Sequence, residues 1–361
     1  MVKNILFRFK LKGKGIVNYD NSDQSYTHEA YKTVFKGNRN SNVNYSKKHF
    51  YKDEEGKVLW KIIVSSNCLR HNIFIKDAFS QSPAILKDDI ILYNYLSSPA
   101  NIMRGYVFVN VRGSTVKRKS AIMISDAEQI CNSISTIEQF AKTGIKGSGK
   151  IDSGGDKIKS DTFYSKETIG DIEYCGNGII DLMQLQFTSC SQDFDRFEFN
   201  PDNIELYRTI LNTYLQKAGI EDALEIKNYL IANSTVLLSE EGILFSNDIV
   251  NYFVREFFER MLKLNIRKNN AYAILSELEY KLVEDVIVDT FNSDDNWVSL
   301  NNMGDIKNIS FEMEKFYIES SDEDVIRTKE AIDKFTMDDT QARIVKDNKK
   351  TKIVKTSTPT E

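Results

Sequence analysis

The amino-acid sequence predicts an α+β fold of the split βαβ kind that carries long insertions. Strand-like and helix-like patterns alternate along the chain, and the short β-α-β crossovers that build a doubly wound sheet are few. The 361 residues, 41% apolar and 28% charged, suit a globular chain with a sizeable core, and neither an internal repeat nor a sharp boundary divides them. The expected organisation is one elaborated domain over residues 1–320, with an inserted excursion at residues 20–57, followed by a charged, flexible tail over residues 321–361.

Ile5, Phe7, Phe9 and Leu11 alternate with Arg8, Lys10, Lys12 and Lys14. That period of two predicts a strand with one apolar and one basic face, able to pack on a core and still offer cations to a phosphate chain. Gly13 and Gly15 let the following backbone bend or lie close to something. Residues 20–57, rich in Asn, Ser, Lys and Tyr, show no clear period and read as an excursion from the core. Residues 58–64 read as a buried strand, after which the polar turn Ser65-Ser66-Asn67 opens a helix. Residues 88–96 are expected to be helical, ending near Pro99, and residues 105–111 to form a strand. Ser125 and Glu128 fit a capping box that opens a helix to about Ala141. Residues 144–155, rich in Gly, Lys and Ser, match no phosphate-loop spacing and read as a flexible connection. Residues 162–175 and 178–189 read as β structure, with residues 161–174 as a hairpin turning at Gly170-Asp171. Residues 203–218 and 247–264 are amphipathic at helical spacing, and 271–291 fit either helix or strand. From Ser320 charges cluster, and the Lys/Thr-rich residues 346–361 have almost nothing to bury.

The net charge of -4 conceals an asymmetry. Residues 1–120 hold 21 Lys/Arg against 9 Asp/Glu, and the remainder holds 27 against 43. Either a polyanion covers one surface, or basic and acidic parts pack against each other; charge alone leaves both open. No apolar run reaches the length of a bilayer-spanning helix. Charges interrupt the apolar residues 2–10, which carry no signal-peptide cleavage pattern. Cys68, Cys131, Cys175 and Cys190 are widely spaced and indicate neither a zinc site nor a disulfide framework. The expectation is a reduced, cytoplasmic protein without membrane association, metal or cofactor.

Cys68 and His71, three apart, invite a nucleophile-base reading, but a thiol used so often as a small buried hydrophobe makes a weak signal. The dispersed histidines His28, His49 and His71 form no metal-ligand pattern. The basic clusters are more informative. Arg70 and His71 sit at a strand-to-helix junction, Arg104 stands directly before Gly105, and Lys117-Arg118-Lys119-Ser120 follows a strand end. Phe163-Tyr164-Ser165-Lys166 places two aromatics beside a hydroxyl and a cation. Single-stranded RNA is held by these residue types: cations for phosphate, aromatic faces for unstacked bases, and Ser or Asn for sugar hydroxyls. Each cluster alone also fits a solvated surface.

At these same stretches the sequence resembles a known family. Leu11-Lys12-Gly13-Lys14-Gly15-Ile16-Val17-Asn18, Ser65-Ser66-Asn67-Cys68-Leu69-Arg70-His71-Asn72-Ile73-Phe74 and Ile102-Met103-Arg104-Gly105-Tyr106-Val107 come first. Lys117-Arg118-Lys119-Ser120, the run from Thr162 to Tyr174 and Leu185-Gln186-Phe187 follow, in the same order. The blocks resemble the Cas-seven backbone subunit of the type I-F variant CRISPR complex, a minimal Cascade-like assembly, over roughly residues 5–200 and more weakly to about residue 290. The resemblance implies an RRM-like (ferredoxin-like) palm with inserted finger and thumb elements. It implies a non-catalytic subunit that polymerises along CRISPR RNA (crRNA) and holds it for pairing with target DNA. Further copies of the chain, a crRNA 5′-end cap subunit and a repeat-processing endoribonuclease are the implied partners. The candidate RNA-binding residues are Lys12, Lys14, Gly15, Ser66, Asn67, Arg70, His71, Arg104, Gly105, Lys117, Arg118, Lys119, Ser120, Phe163, Tyr164 and Lys166. The excursion at residues 20–57 and the tail after residue 320 depart from the family's pattern. Two alternatives stay open: an RNA-processing endoribonuclease using His71 or another histidine as acid-base, and a general single-strand-binding protein.

Overall fold

In the computed structural model, the described residues are 1–20, 43–75, 89–109, 115–130, 136–142, 162–191, 197–221, 224–232, 238–268 and 270–333. The chain opens with β1 (Asn4–Lys14), β2 (Tyr19–Asp20), β3 (Val43–Ser46), β4 (Lys48–Lys52) and β5 (Val58–Val64), then α1 (Ser66–Phe74), α2 (Asp89–Leu96) and α3 (Pro99–Arg104). Strands β6 (Tyr106–Val109), β7 (Thr115–Arg118), β8 (Ile122–Ile124), β9 (Ala127–Gln129), β10 (Thr136–Lys142), β11 (Thr162–Thr168) and β12 (Asp171–Asp181) follow. Next come α4 (Leu182–Gln186), β13 (Phe187–Ser189), α5 (Ile204–Lys217), β14 (Ile226–Ile231), β15 (Glu240–Leu244) and α6 (Asn247–Leu262). The chain continues through β16 (Asn265–Lys268), β17 (Ala271–Val283), α7 (Val288–Asn292), β18 (Val298–Ser299), α8 (Met303–Lys307) and β19 (Tyr317–Glu319).

The alternation read in residues 5–14 builds the centre of the molecule. Phe7, Phe9 and Leu11 are buried, and β1 pairs antiparallel with β12 on one side and β17 on the other. The principal sheet runs β16-β17-β1-β12-β9-β5-β4, with β8 also on β12 and β18 on β17, every neighbour antiparallel. Its central strands therefore stand in the order β17, β1, β12, β8/β9. In chain order, α1–α3 lie between β1 and β8, and α6 lies between β12 and β17. Helix α6 is held in place by an apolar stripe: Phe253, Phe257 and Phe258 are buried, and the Phe257 ring meets Phe7 edge-on at 5.2 Å. Ser246 caps this helix by accepting the N–H of Ile249. Two further sheets, β10-β11-β3-β2 and β13-β15-β14-β19, and the hairpin β6-β7 complete the described strands.

Several expectations are corrected. The helix expected from Ser125 to Ala141 is absent from the described residues of that stretch, which β9 and β10 occupy. Ser125 Oγ donates to the Asp126 carbonyl and accepts from Asn177 N–H instead of capping a helix, while buried Ala127 and Gln129 flank the half-buried Glu128 with strand periodicity. The hairpin expected over residues 161–174 does not form either. β11 pairs with β10 and, in parallel, with β3, while β12 joins the principal sheet. The excursion at residues 20–57 contributes β3 and β4 to two sheets; residues 21–42 lie outside the described residues. The ambiguous stretch from residue 271 is a thirteen-residue strand. Residues 322–333, expected to open a flexible tail, are helical, and buried Thr328 accepts the N–H of Ser239 at 2.7 Å. The connection at residues 144–155 and the Lys/Thr-rich residues 346–361 lie outside the described residues.

No helix among the described residues is long and apolar enough to cross a membrane. Cys68, Cys175 and Cys190 are free thiols.

Candidate nucleic-acid interface

The basic face of β1 is not an open row of cations. Arg8 meets Glu279 at 2.5 Å, Lys10 meets Glu277 at 2.7 Å and Lys12 meets Glu173 at 3.4 Å, each acid lying on a neighbouring strand. Lys61 reaches Glu128 at 3.1 Å in the same way. Buried Lys48 binds both oxygens of Glu167, at 2.7 and 2.6 Å, and Ser46 donates its N–H and hydroxyl to that carboxylate. The sequence's basic third is thus partly neutralised from within by its acidic remainder. That corrects the expectation that β1 presents free charge, and it weakens Lys12 as an RNA contact.

A different cluster is brought together around Arg70, whose described acceptors are uncharged oxygens. Arg70, at the middle of α1, donates from Nη1 to Ser120 Oγ at 3.0 Å and to the Ile122 carbonyl at 2.8 Å. Its Nη2 donates to the Arg104 carbonyl. Burial, and then the neighbouring Arg104, lower the Arg70 pKa, so two guanidinium groups sit near each other while every described hydrogen-bond acceptor of Arg70 is neutral. Gly105 makes the junction possible. It has φ 73°, and a Cβ there would stand 2.6 Å from both the Arg118 carbonyl and the Ser120 nitrogen. Three blocks widely separated in sequence (65–71, 102–107 and 117–120) therefore converge on one point. Asn67, His71 and Lys119 are exposed nearby in sequence, and Ser66, Lys117 and Ser120 are half-buried.

A second group lies where β1 leaves the sheet. Gly15, with φ 74°, is pressed against the start of β17, where an added Cβ would come 2.9 Å from Ala271 Cβ; this packing accounts for the glycine. Lys14 is exposed. Asn18 donates to Ser65 Oγ at 3.0 Å, and Ser65 caps α1 by accepting the N–H of Cys68. The Tyr19 hydroxyl donates to the Glu167 carbonyl at 3.3 Å, and Lys268 stands 5.5 Å from the Tyr19 ring centre. Lys268 and Lys47 are also close enough to act on the Cys68 thiol. Sequence reasoning missed Asn18, Tyr19, Lys47 and Lys268. Asn18 closes one of the quoted blocks, but Lys268 lies some 250 residues from its neighbours here and carries no local signal.

Arg118 is a correction. Its side chain is 0% exposed and forms an ion pair with buried Glu198. It also donates to the carbonyls of Ile102 (2.7 Å), Phe187 (2.9 Å) and Gln184 (2.8 Å) and to Thr188 Oγ1 (2.9 Å). It ties β7 to the core and is unavailable to RNA. On the hairpin, Tyr106, Phe108, Val116 and Arg118 point inward, while Val107 and Val109 are 72% and 71% exposed. Phe163, Tyr164 and Lys166 lie on β11, where Tyr164 pairs with Phe140, and Lys166 with Glu138 and Asn44. Which of the two aromatic rings is exposed lies outside the described residues.

Cys68 offers poor material for a nucleophile. Burial pushes its thiol pKa up, and Asn72 donates to its sulfur at 3.7 Å. Among the described residues, no three His, Cys, Asp or Glu side chains gather as a metal ion requires.

The family profile described as type I-Fv CRISPR-associated protein Cas7fv-like matches residues 1–320. The chain belongs to this family. As a Cas7fv-like protein it is a backbone subunit of a type I CRISPR effector complex. Two solved chains are similar at 10% identity. One, described as a CRISPR RNA-guided surveillance complex, aligns with TM-score 0.33 over 79% of this chain and 72% of its own. The other, described as a CRISPR RNA-guided surveillance complex, pre-nicking, aligns with TM-score 0.35 over 78% and 77%. No curated protein sequence matches the chain. Within this Cas7fv-like chain the Leu185-Gln186-Phe187 block is buried beside Arg118, so part of the family resemblance reflects the core.

Proposed function

We propose that this Cas7fv-like subunit polymerises along crRNA, gripping the sugar-phosphate chain and leaving the bases to pair with target DNA, without performing catalysis itself. A guide of variable sequence has to be held through phosphate and sugar, with the Watson–Crick edges free. The observation that carries the reading is the convergence of Arg70, Arg104, Gly105 and Ser120. It is a cationic point assembled from distant parts of the chain, with Arg70 fixed by neutral oxygens and spared the carboxylates that neutralise β1. Ser66, Asn67, His71, Lys14, Lys117 and Lys119 extend this surface, with Lys47 and Lys268 added from the structure. The palm is RRM-like: the strand order β17, β1, β12, β8/β9, with helices at the two crossovers, supports a split βαβ frame. In this frame the exposed sheet face is occupied by ion pairs, and the guide is held at the sheet's margin. β11, an inserted element, carries Phe163, Tyr164 and Lys166, residue types suited to unstacked bases and phosphate.

Titration of the full chain with RNAs of unrelated sequence tests this reading. Affinity should be nearly indifferent to sequence and fall with salt at a slope of about -0.7 per phosphate contacted. Cleavage of repeat-containing RNA that is lost in His71→Ala would instead identify an endoribonuclease.

A further inference from the structure

His49, on β4, stands between two carboxylates. Its Nε2 is 2.9 Å from Asp126 Oδ2, and its Nδ1 is 2.9 Å from Glu128 Oε1. An ionised carboxylate only accepts hydrogen bonds, and a neutral imidazole carries a single N–H. Both bonds therefore coexist only when the ring is imidazolium. The two ring nitrogens point apart, so the three side chains do not converge on a common point as metal ligands would. Lys61, on β5, shares Glu128 at 3.1 Å and lies 5.8 Å from the Tyr51 ring centre. Cys175, on β12, pairs in register with Glu128. Among the described contacts, Asp126 and Glu128 face the imidazole directly, while Lys61, Tyr51 and Cys175 are the ionisable groups beside Glu128 and Lys61.

Asp126 does a second job. Its Oδ1 accepts the main-chain N–H of Ser66, the first residue of α1, at 2.6 Å. Two hydrogen bonds in series therefore connect the ring of His49 to the start of the helix that carries Ser66, Asn67, Arg70 and His71. We propose that His49 is a positioning residue that couples guide binding to pH, with affinity falling as the pH rises. The proposal rests on the reading of the α1 surface as guide-binding. The sign follows from charge. Loss of the imidazolium proton breaks one of the two bonds and leaves two carboxylates beside a neutral ring, with Lys61 paired to Glu128 alone among the described contacts. Asp126 is then less firmly held against Ser66, and the ground beside the phosphate chain becomes more negative by one charge. By linkage, RNA must in turn strengthen proton binding at His49.

The measurement is an NMR pH titration of the full-length chain, labelled at its histidines, with and without single-stranded RNA. His28, His49 and His71 are told apart by single Gln substitutions. RNA affinity is followed over the range in which imidazoles titrate, about pH 5 to 8. RNA should raise the His49 titration midpoint, and affinity should fall about threefold across that midpoint, as one charge a few ångströms from a phosphate in high dielectric implies. His49→Gln should flatten this dependence. A His49 midpoint unmoved by bound RNA would overturn the proposal even if His49→Gln fails to fold, and so would a His49→Gln protein that keeps the wild-type pH dependence. A folded protein that binds no RNA at any pH would overturn the guide-binding reading itself, whereas binding without the linked shift overturns the proposal alone.

Discussion

The guanidinium of Arg118 is hydrogen-bonded to the carboxylate of Glu198 inside the core, and both side chains are almost wholly shielded from water. An arginine in a run of Lys, Arg and Lys therefore serves the fold. Its backbone neighbours contribute the oxygens that complete the solvation of its charge: Ile102 from α3, Gln184 from α4 and Phe187 from β13. Removing one member of a buried ion pair leaves the other uncompensated and costs about 3–5 kcal/mol. Arg118→Ala should lose stability on that scale in urea unfolding. A variant that keeps the wild-type urea midpoint but loses RNA affinity would return Arg118 to the binding surface.

Arg104 and Arg70 should separate in a combined salt and stability experiment. Arg104→Ala should reduce the slope of log affinity against log salt by about 0.7 for one phosphate lost. Arg70→Ala should flatten the slope and also lower the melting temperature. It removes the hydrogen bonds that Arg70 donates to the Arg104 and Ile122 carbonyls, the latter still bonded by Ser120 Oγ, and a hydrogen bond from a charged group contributes about 1.5–3 kcal/mol. Unchanged slopes in both variants would make the junction structural.

The contacts of Glu128 also set an acid-side dependence of stability. Its hydrogen bond from His49, then that from Lys61, holds its pKa below the ordinary glutamate value. A carboxylate depressed in the folded state contributes stability above its unfolded-state pKa, and that contribution is lost as pH falls through the folded value. Urea midpoints measured from neutral to acid pH should therefore fall less steeply in Glu128→Gln than in the wild type. Equal steepness would show that the His49–Glu128–Lys61 group does not persist in solution.

The strands and helices with long, clean periodicity were legible from the sequence: β1 from its alternating Phe and Lys residues, β5 from its apolar run, and α5 and α6 from their apolar stripes. Ser125-Asp126-Ala127-Glu128 misled because its capping-box spacing is a local signal, while Asp126 and Glu128 are committed to Ser66, His49 and Lys61 far away in sequence. At the candidate site the sequence supplied Arg70, Arg104, Gly105 and Ser120, whose junction only the fold assembles. It could not separate Lys12 and Arg118 from them, because charge is visible in a sequence and the partner that neutralises it is not. Lys268 and Lys47 stayed hidden for the converse reason: each is an ordinary lysine until the turn at residues 15–18 and the start of α1 come alongside.

The backbone role makes one demand that a simple RNA-binding domain does not: the number of subunits bound should follow the length of the guide. Mass photometry on the full-length chain with two crRNAs differing only in spacer length measures that number. Polymerisation along the guide predicts a heavier complex on the longer RNA, with the added mass, once that of the extra nucleotides is subtracted, in whole multiples of the 41.5 kDa chain. The same stoichiometry on both RNAs would contradict it.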